Sequence, residues 1–168
     1  SFYYRINDEK DIKHNHVIFY FNNKIKLIYN DVRKFGFIKI DFTKKIKNNK
    51  HIKLLGPEPL SKEFNFKYFK FFLKGKKRII KDLLMDQKFV SGLGNIYVNE
   101  ILFYSNIDPH RDIQKLRDKE IKKIVSKTKK ILKKAIILGG SSIKNFSSAS
   151  GKSGAFQQFF AVYGRDGE

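Results

Sequence analysis

The sequence contains no cysteine, no tryptophan and only one methionine. Without cysteine, the chain has no disulfide, no thiol nucleophile and no cysteine-ligated zinc site of its own. No uninterrupted apolar run approaches the ~20 residues that a membrane-spanning helix needs, so we expect none. The chain starts at Ser1, with no initiator methionine and no signal-peptide pattern. We therefore expect it to be a fragment of a longer protein.

Acidic residues are the second shortage. The chain has 16 Asp and Glu against 36 Lys and Arg, a formal net charge of +20. With 41% hydrophobic residues it is too apolar for a disordered polycation. Codon bias toward A and T explains why lysine replaces arginine, whereas binding to a polyanion also explains why acidic residues are scarce. The excess is spread along the whole chain, which favours nucleic acid over a small phosphate.

The first 42 residues predict β-structure. Strand-like runs occupy residues 1–6, 16–21, 24–29 and 35–42. Asn22-Asn23 lies between the second and third runs, and asparagine tolerates the positive φ of a tight hairpin turn. Residues 24–29 and 35–42 alternate, and in the first of these Ile25, Leu27 and Tyr29 form an apolar face. We expect an antiparallel meander that forms part of a β-sandwich.

The remainder of the chain predicts helices. The Gly56-Pro57-Glu58-Pro59 segment interrupts the chain, because each proline fixes φ and removes a donor. The apolar period is helical beyond it. The expected helices are one capped by Ser61 that carries Phe64, Tyr68, Phe71 and Phe72, then 77–85, 96–104 and 115–138. Gly139-Gly140 predicts the last C-terminal cap, residues 141–154 a loop and residues 156–163 a returning strand. The fold class is α+β.

Two turns are candidates for binding. Gly92-Leu93-Gly94-Asn95 opens a helix, where unpaired N–H groups form a phosphate cradle; the alternative is that Asn95 is an ordinary N-cap. At the strand corner 31–36, Arg33 and Phe35 can point off the same face, where an arginine can reach base edges and a phenylalanine can wedge between bases. The alternative there is a hairpin turn with Phe35 in the core.

Other candidates are weaker. His14 and His16 share one face of a strand and could bind a metal, but no third ligand lies near them in the sequence, so a phosphate contact or a polar strand start is favoured. Lys76, Lys77, Arg78 and Lys81 form a basic cluster, with Lys77 and Lys81 one helical turn apart. The lysines of the last helix form either a solvated face or a polyanion surface. The Ser- and Gly-rich loop could close over a ligand or could simply be flexible.

Seven segments together resemble the formamidopyrimidine-DNA glycosylase family, in the family's order and spacing. They are KHNH at 13–16, DVRKFG at 31–36, LGPEPL at 55–60, IKDLLMDQ at 80–87, GLGNIY at 92–97, GGSSIKNF at 139–146 and VYGR at 162–165. Members of this family are bifunctional enzymes that excise oxidised purines such as 8-oxoguanine and cleave the strand as AP lyases.

The resemblance implies a fold and a division of the chain. Residues 1–55 would be the C-terminal part of an antiparallel β-sandwich catalytic domain. Residues 56–160 would be a helix–two-turns–helix DNA-binding domain that includes a lesion-covering loop, 141–154. Residues 161–168 would lead into a zinc finger that this chain does not contain.

The resemblance also implies roles for residues. Arg33 would face the orphaned cytosine, and Phe35 would wedge the base stack. Lys76 and Asn95 would hold phosphates beside the lesion. Lys81 would lie near the damaged base. The remaining DNA-binding positions are His14, Gly94 and Tyr97. In the loop that covers the flipped base, the matching positions are Lys144, Ser150, Gly151 and Lys152.

The family's catalytic groups are missing from this chain. The N-terminal proline that attacks the sugar, its neighbouring glutamate and a catalytic lysine would precede Ser1. The four zinc-binding cysteines would follow Glu168, so we expect structural zinc in the parent protein, and neither a metal site nor a catalytic residue in this chain. Val32 and Asp82 replace common prolines of the family, away from the expected chemistry.

These observations predict the DNA-binding part of a base-excision repair glycosylase. The expected partner is duplex DNA with oxidised purines, bound by a monomer in the bacterial cytoplasm at the nucleoid, with no membrane involved. One alternative is a non-catalytic nucleic-acid-binding module. The other is an oxidised-pyrimidine glycosylase of the same superfamily, against which the Arg33–Phe35 corner argues.

Overall fold

The computed structural model describes residues 2–6, 13–141 and 154–165. Their contacts divide the chain into two compact units. The first unit combines residues 1–40 with residues 135–159, and the second combines residues 41–134 with residues 160–168. The α+β class predicted from the sequence is confirmed, because the described elements are one small antiparallel sheet and five α-helices.

The first unit contains a three-stranded antiparallel sheet. Its strands are β1 (Phe2–Ile6), β2 (Asn15–Tyr20) and β3 (Ile25–Asn30). Their order is β1-β3-β2, so the predicted meander is wrong: β3, and not β2, is the central strand. The reason is that β3 pairs with β2 through the hairpin and uses its other edge for β1. Accordingly, Ile28 of β3 is buried.

The hairpin between β2 and β3 forms where the sequence predicts it. The Phe21 N–H donates to the Ile25 carbonyl oxygen at 2.9 Å and closes the turn. The positive φ lies at Lys24 (59°) and at neither of the two asparagines. The strand boundaries therefore follow the pattern, whereas the strained position is one residue later than expected.

The strand predicted over residues 35–42 is absent from the described part of the chain. This segment belongs to no described ladder, and Phe35 and Ile40 are 80% and 95% exposed. Alternation of apolar residues favours an extended backbone, but a strand also needs a neighbour to receive its hydrogen bonds. The basic connector that follows folds into a 3₁₀ helix, Thr43–Asn48, and a short helix α1, Lys50–Lys53.

Four longer helices form where the apolar period is helical. They are α2 (Phe66–Leu73), α3 (Ile80–Met85), α4 (Asn95–Ser105) and α5 (Asp118–Ile137). The predicted cap Ser61 is wrong: the Asn65 side chain caps α2 by accepting from the Tyr68 N–H at 3.0 Å. The early start predicted for α3 is also wrong, because Ile79 is extended and forms a bridge to Asp112.

An aromatic cluster around Phe89 forms part of the core of the second unit. The Phe89 ring centroid lies 4.9 Å from that of Phe69 and 4.8 Å from that of Phe72. Tyr68 stacks on Phe89 and donates its hydroxyl to the Phe89 carbonyl oxygen at 2.7 Å. Phe89 is completely buried, so one side chain from the segment between α3 and α4 packs against three aromatic residues of α2.

The end of α5 is capped by glycines, as predicted. Gly139 and Gly140 have φ values of 73° and 82°, and the Gly140 N–H donates to the Ala135 carbonyl oxygen at 2.8 Å. The strand predicted over residues 156–163 is wrong, because Phe156–Phe159 is a 3₁₀ helix. Among the described helices, none combines the length and apolarity that a membrane span requires.

Replacing Phe89 with alanine removes the centre of the aromatic cluster. We expect Phe89→Ala to lower the free energy of unfolding by about 3–5 kcal/mol, because the cavity cannot be filled by the neighbouring rings. Phe71→Ala is the matched control: Phe71 lies on α2 but is 71% exposed, so its loss should cost within about 0.5 kcal/mol. Urea unfolding of both variants measures the difference, and similar costs would contradict this description of the core.

Candidate nucleic-acid interface

The corner after β3 is shaped by the carboxylate of Asp31. Its Oδ2 accepts the Gly36 N–H at 2.7 Å and the Tyr29 hydroxyl at 3.0 Å, and its Oδ1 accepts the Arg33 N–H at 3.2 Å. The backbone turns at Lys34, which has a φ of 56°. One side chain therefore closes the six-residue corner by binding the backbone on both sides of the turn.

The corner displays Arg33 and Phe35 to solvent. Phe35 is 80% exposed, and the Arg33 guanidinium carbon lies 5.1 Å from the centroid of its ring. The alternative that Phe35 belongs to the core is therefore wrong. This short loop therefore exposes an apolar ring, that of Phe35, beside the hydrogen-bond donors of the Arg33 guanidinium.

Gly36 is required by the closeness of the corner to the sheet. A Cβ at this position would overlap the hydroxyl of Tyr29 and would lie 3.0 Å from Oδ2 of Asp31. The Gly36 N–H bond is the largest cause that lowers the pKa of Asp31 below its ordinary value, and the Tyr29 hydroxyl and the Arg33 N–H add to it. The carboxylate is thus stabilised in its charged form by the turn that it organises.

The two histidines lie at the base of this corner. The His14 carbonyl oxygen accepts the Asp31 N–H at 3.1 Å, and a ring nitrogen of His16 lies 2.9 Å from the Asp31 carbonyl oxygen. His14 is half-buried and has a φ of 75°, whereas His16 is exposed. His16 therefore braces the backbone at the corner. The described residues contain no group of three side chains of metal-ligand type.

The amino end of α4 is open. Gly94, and not Asn95, is its N-cap, so the alternative that Asn95 caps the helix is wrong. Gly94 supplies no side chain, and a Cβ built on it would meet nothing within 4 Å. Asn95 is the first helical residue and is exposed, and Tyr97 of the same turn is half-buried. The positive end of the helix dipole is thus accessible to an anion, with an amide side chain beside it.

Some cations of the basic cluster before α3 contact other groups of the protein, whereas others have no carboxylate partner among the described residues. Lys76 donates its ammonium to the Phe72 carbonyl oxygen at 2.7 Å and lies 3.6 Å from the centre of the Phe72 ring. Arg78 forms an ion pair with Asp86 at 2.6 Å. The predicted one-turn relation between Lys77 and Lys81 is wrong, since α3 begins only at Ile80.

Lys81 is one of the available members of this cluster, as is the exposed Lys77. The side chain of Lys81 is half-buried on α3, and within the described part of the chain no carboxylate pairs with it. Its backbone N–H is held by the Pro109 carbonyl oxygen at 3.2 Å. An ammonium without a counter-ion is suited to an anionic ligand.

The predicted loop positions Lys144, Ser150, Gly151 and Lys152 lie outside the described residues. The base of that loop is described. The Ala155 N–H donates to the Leu138 carbonyl oxygen at 2.9 Å, and the Phe156 N–H donates to the Gly140 carbonyl oxygen at 3.1 Å. Gly154 is buried so closely against Gly140 that no side chain would fit there. Backbone contacts thus hold together the two ends of the loop.

Sequence reasoning missed Glu100, a buried acid in the middle of α4. Its carboxylate accepts three consecutive backbone N–H groups, from Ala161 at 2.8 Å, Val162 at 3.0 Å and Tyr163 at 3.1 Å. The signal was a single acidic residue within the apolar run of α4. The partner lies more than 60 residues away, so only the fold reveals that Glu100 anchors residues 161–163 to the helix.

Comparison with known proteins gives a consistent result. Residues 55–147 match the family described as Formamidopyrimidine-DNA glycosylase H2TH domain. The chain is 41% identical over 167 residues to Formamidopyrimidine-DNA glycosylase of Listeria innocua, covering 98% of this chain and 61% of that protein. It is 43% identical over 156 residues to the protein of the same name from Rickettsia bellii, covering 93% and 57%. The chain thus spans about 60% of the length of these relatives.

Solved structures agree with the sequence comparison. A Lactococcus lactis FPG mutant in complex with a Fapy-dG containing DNA superposes with a TM-score of 0.91 and is 36% identical. The complex of Lactococcus lactis Fpg with an abasic site containing DNA gives a TM-score of 0.90 at 38% identity. Both matches cover 99% of this chain and 61% of the other.

The lowered pKa of Asp31 predicts how the corner responds to acid. The pKa of an aspartate in an unfolded chain is about 3.9. Because the folded pKa is lower, the stabilisation is fully present above that pH and is lost as the pH falls through the folded value. We expect the amide-proton chemical shift of Gly36 to follow this titration, with a midpoint below the ordinary aspartate value of about 3.9.

The control for this titration is Asp31→Asn, which cannot ionise. In that variant the Gly36 amide should show no transition of its own, and its hydrogen exchange should be faster at neutral pH. A Gly36 transition at or above the ordinary aspartate pKa in the unmodified protein would contradict the proposed role of the carboxylate.

Proposed function

This chain belongs to the formamidopyrimidine-DNA glycosylase family, and on that premise we propose that it carries the DNA-binding part of a bacterial enzyme that excises oxidised purines from duplex DNA. The observation that carries the proposal is the Asp31 corner, which exposes Arg33 and Phe35 together. Support comes from relatives named Formamidopyrimidine-DNA glycosylase and from similar proteins solved with Fapy-dG and abasic DNA.

At the corner, Phe35 and Arg33 have different roles in stabilising DNA with an everted nucleotide. Phe35 enters the base stack as a wedge, which offsets part of the unstacking cost of a few kcal/mol per step. Arg33 presents its guanidinium to the cytosine that has lost its partner. The Asp31 carboxylate fixes the loop, so the ring and guanidinium are presented before DNA arrives and little ordering entropy is lost on binding.

In the second unit, α4 and the residues before α3 bind the phosphates beside the lesion. The N–H groups at the start of α4 and the Asn95 side chain donate to one phosphate, since no side chain caps this helix. Lys76 and Lys81 supply positive charge, with Lys81 near the damaged base. His14 of the first unit contacts the backbone of the DNA. The loop that carries Lys144, Ser150, Gly151 and Lys152 covers the everted base.

The covalent chemistry belongs to parts of the protein outside this chain. In the family, the amine of an N-terminal proline attacks the sugar C1′ as the glycosidic bond breaks and the damaged base leaves, a Schiff base forms, and the strand is cleaved by β,δ-elimination. We assign no catalytic residue to the present chain. Structural zinc does not fit the residues present, because the chain has no cysteine and its described part has no group of three candidate ligands. We place the zinc ligands after Glu168.

The division of the chain follows from this function. Residues 1–55 form the end of the catalytic β-sandwich domain, residues 56–160 the helix–two-turns–helix domain, and residues 161–168 the lead-in to the zinc finger. The partner is duplex DNA that contains oxidised purines. The protein acts as a monomer in the cytoplasm, where DNA keeps it at the nucleoid.

Phe35→Ala tests the wedge. Because Phe35 acts only where a nucleotide is everted, we expect the variant to lose about tenfold in affinity for a duplex with an abasic analogue and less than twofold for an undamaged duplex. The measurement is fluorescence anisotropy on the protein expressed from its complete reading frame. Phe71→Ala, another exposed phenylalanine, is the control and should change neither affinity. Equal losses on both duplexes would contradict the wedge.

Lys76→Ala tests the phosphate contacts. We expect affinity for both duplexes to fall, and the slope of log affinity against log salt to decrease by about 1, because one fewer counter-ion is released. Lys67→Ala removes the same charge from an exposed position on α2 and should leave the slope unchanged. A Lys76→Ala slope that equals the unmodified one would show that Lys76 makes no phosphate contact.

A further inference from the structure

We propose that Gln87 is a positioning residue that sets the geometry of the phosphate-binding amino end of α4. The inference rests on the proposed function, because it assigns to Gln87 an effect on DNA affinity through Gly94 and Asn95. Gln87 itself carries no charge and is mostly exposed between α3 and α4. Its importance lies in the backbone groups that its amide holds.

The Gln87 amide closes the glycine turn from both directions. Its Oε1 accepts the Gly92 N–H at 2.7 Å, and its Nε2 donates to the Leu93 carbonyl oxygen at 2.8 Å. The same Nε2 also donates to the Met85 carbonyl oxygen at 3.2 Å, at the end of α3. A single side chain thus links the last residue of α3 to the two residues that precede Gly94.

The backbone of Gln87 is itself fixed. Its carbonyl oxygen accepts the Gly56 N–H at 2.8 Å, and a Cβ at Gly56 would overlap the backbone of Phe89. The preceding residue, Asp86, pairs with Arg78, a contact that lowers the pKa of that carboxyl. Asp86 also accepts the Lys88 N–H at 2.9 Å. The amide is therefore attached to a part of the chain that cannot easily move.

The two glycines give the turn conformational freedom. Gly92 has a φ of 83°, and no atom lies within 4 Å of a Cβ built on either Gly92 or Gly94. Glycine allows many backbone conformations, and the start of α4 has no side-chain cap. The side chain of Leu93 is buried and anchors the middle of the turn. The bonds from Gln87 to Gly92 and Leu93 fix the backbone on either side of it, and with it the direction of the first N–H groups of α4.

A double-mutant cycle tests this inference. Gln87→Met keeps the length of the side chain and removes all three hydrogen bonds. Asn95→Ala removes a proposed phosphate donor. We expect each single variant to raise the Kd for an abasic-analogue duplex about tenfold, and the double variant to be weaker than the weaker single one by less than about threefold, because both changes disable the same contact.

The measurement is anisotropy with the full-length protein, together with the thermal unfolding midpoint of each variant. Gln158→Met, at an exposed position in the 3₁₀ helix 156–159, is the matched control and should leave the Kd unchanged. If Gln87→Met does not fold, Gln87→Asn, which keeps an amide but shortens its reach, carries the same cycle.

The possible results separate the two hypotheses. A Kd for the Gln87 variant within about twofold of the unmodified protein, or a double variant with the full product of the two losses, overturns the inference while leaving the phosphate site in place. An Asn95→Ala variant that binds as well as the unmodified protein overturns the phosphate site itself, and the inference falls with it.

Discussion

The carboxylate of Asp31 is the group on which the proposed lesion-binding corner depends. It accepts hydrogen bonds from Gly36, Arg33 and Tyr29, and so bends residues 31–36 without help from a hydrophobic core. A phenylalanine on such a loop would ordinarily be drawn into the interior, because burying an aromatic side chain is favourable. Closing the loop with polar bonds keeps Phe35 exposed and places Arg33 beside it. The exposed ring is the feature that a DNA wedge needs and that a core residue lacks.

In the second unit, several acidic side chains also stabilise the fold. They bind backbone N–H groups or arginines and do not pair with a lysine of the described residues. The buried Glu100 binds three backbone N–H groups, and Asp86 pairs with Arg78. The carboxylate of Glu120 accepts the Arg117 N–H at 2.8 Å, the main cause that lowers its pKa. With 16 acidic residues against 36 basic ones, carboxylates engaged in this way leave a positive surface. Such a surface attracts polyanions before any specific contact is made.

Much of this structure could be predicted from local patterns. The apolar period located α4 and α5, and the glycine pair at 139–140 located the end of α5, because these signals depend on neighbours in sequence. Predictions failed where a distant partner decides the outcome. Residues 35–42 alternate like a strand but find no described neighbour to pair with. The exposure of Phe35 could not be read from the sequence, and the roles of Gln87 and Glu100 depend on backbone groups that only the folded chain brings near.

Fluorescence of 2-aminopurine placed beside an abasic analogue measures whether Phe35 opens the base stack, because the emission of this base rises when it loses its stacking partner. We expect a clear increase when the full-length protein binds, and little or no increase with Phe35→Ala at concentrations that saturate the same duplex. An equal increase with both proteins would contradict it, since the base stack would then be opened without the ring that the Asp31 corner displays.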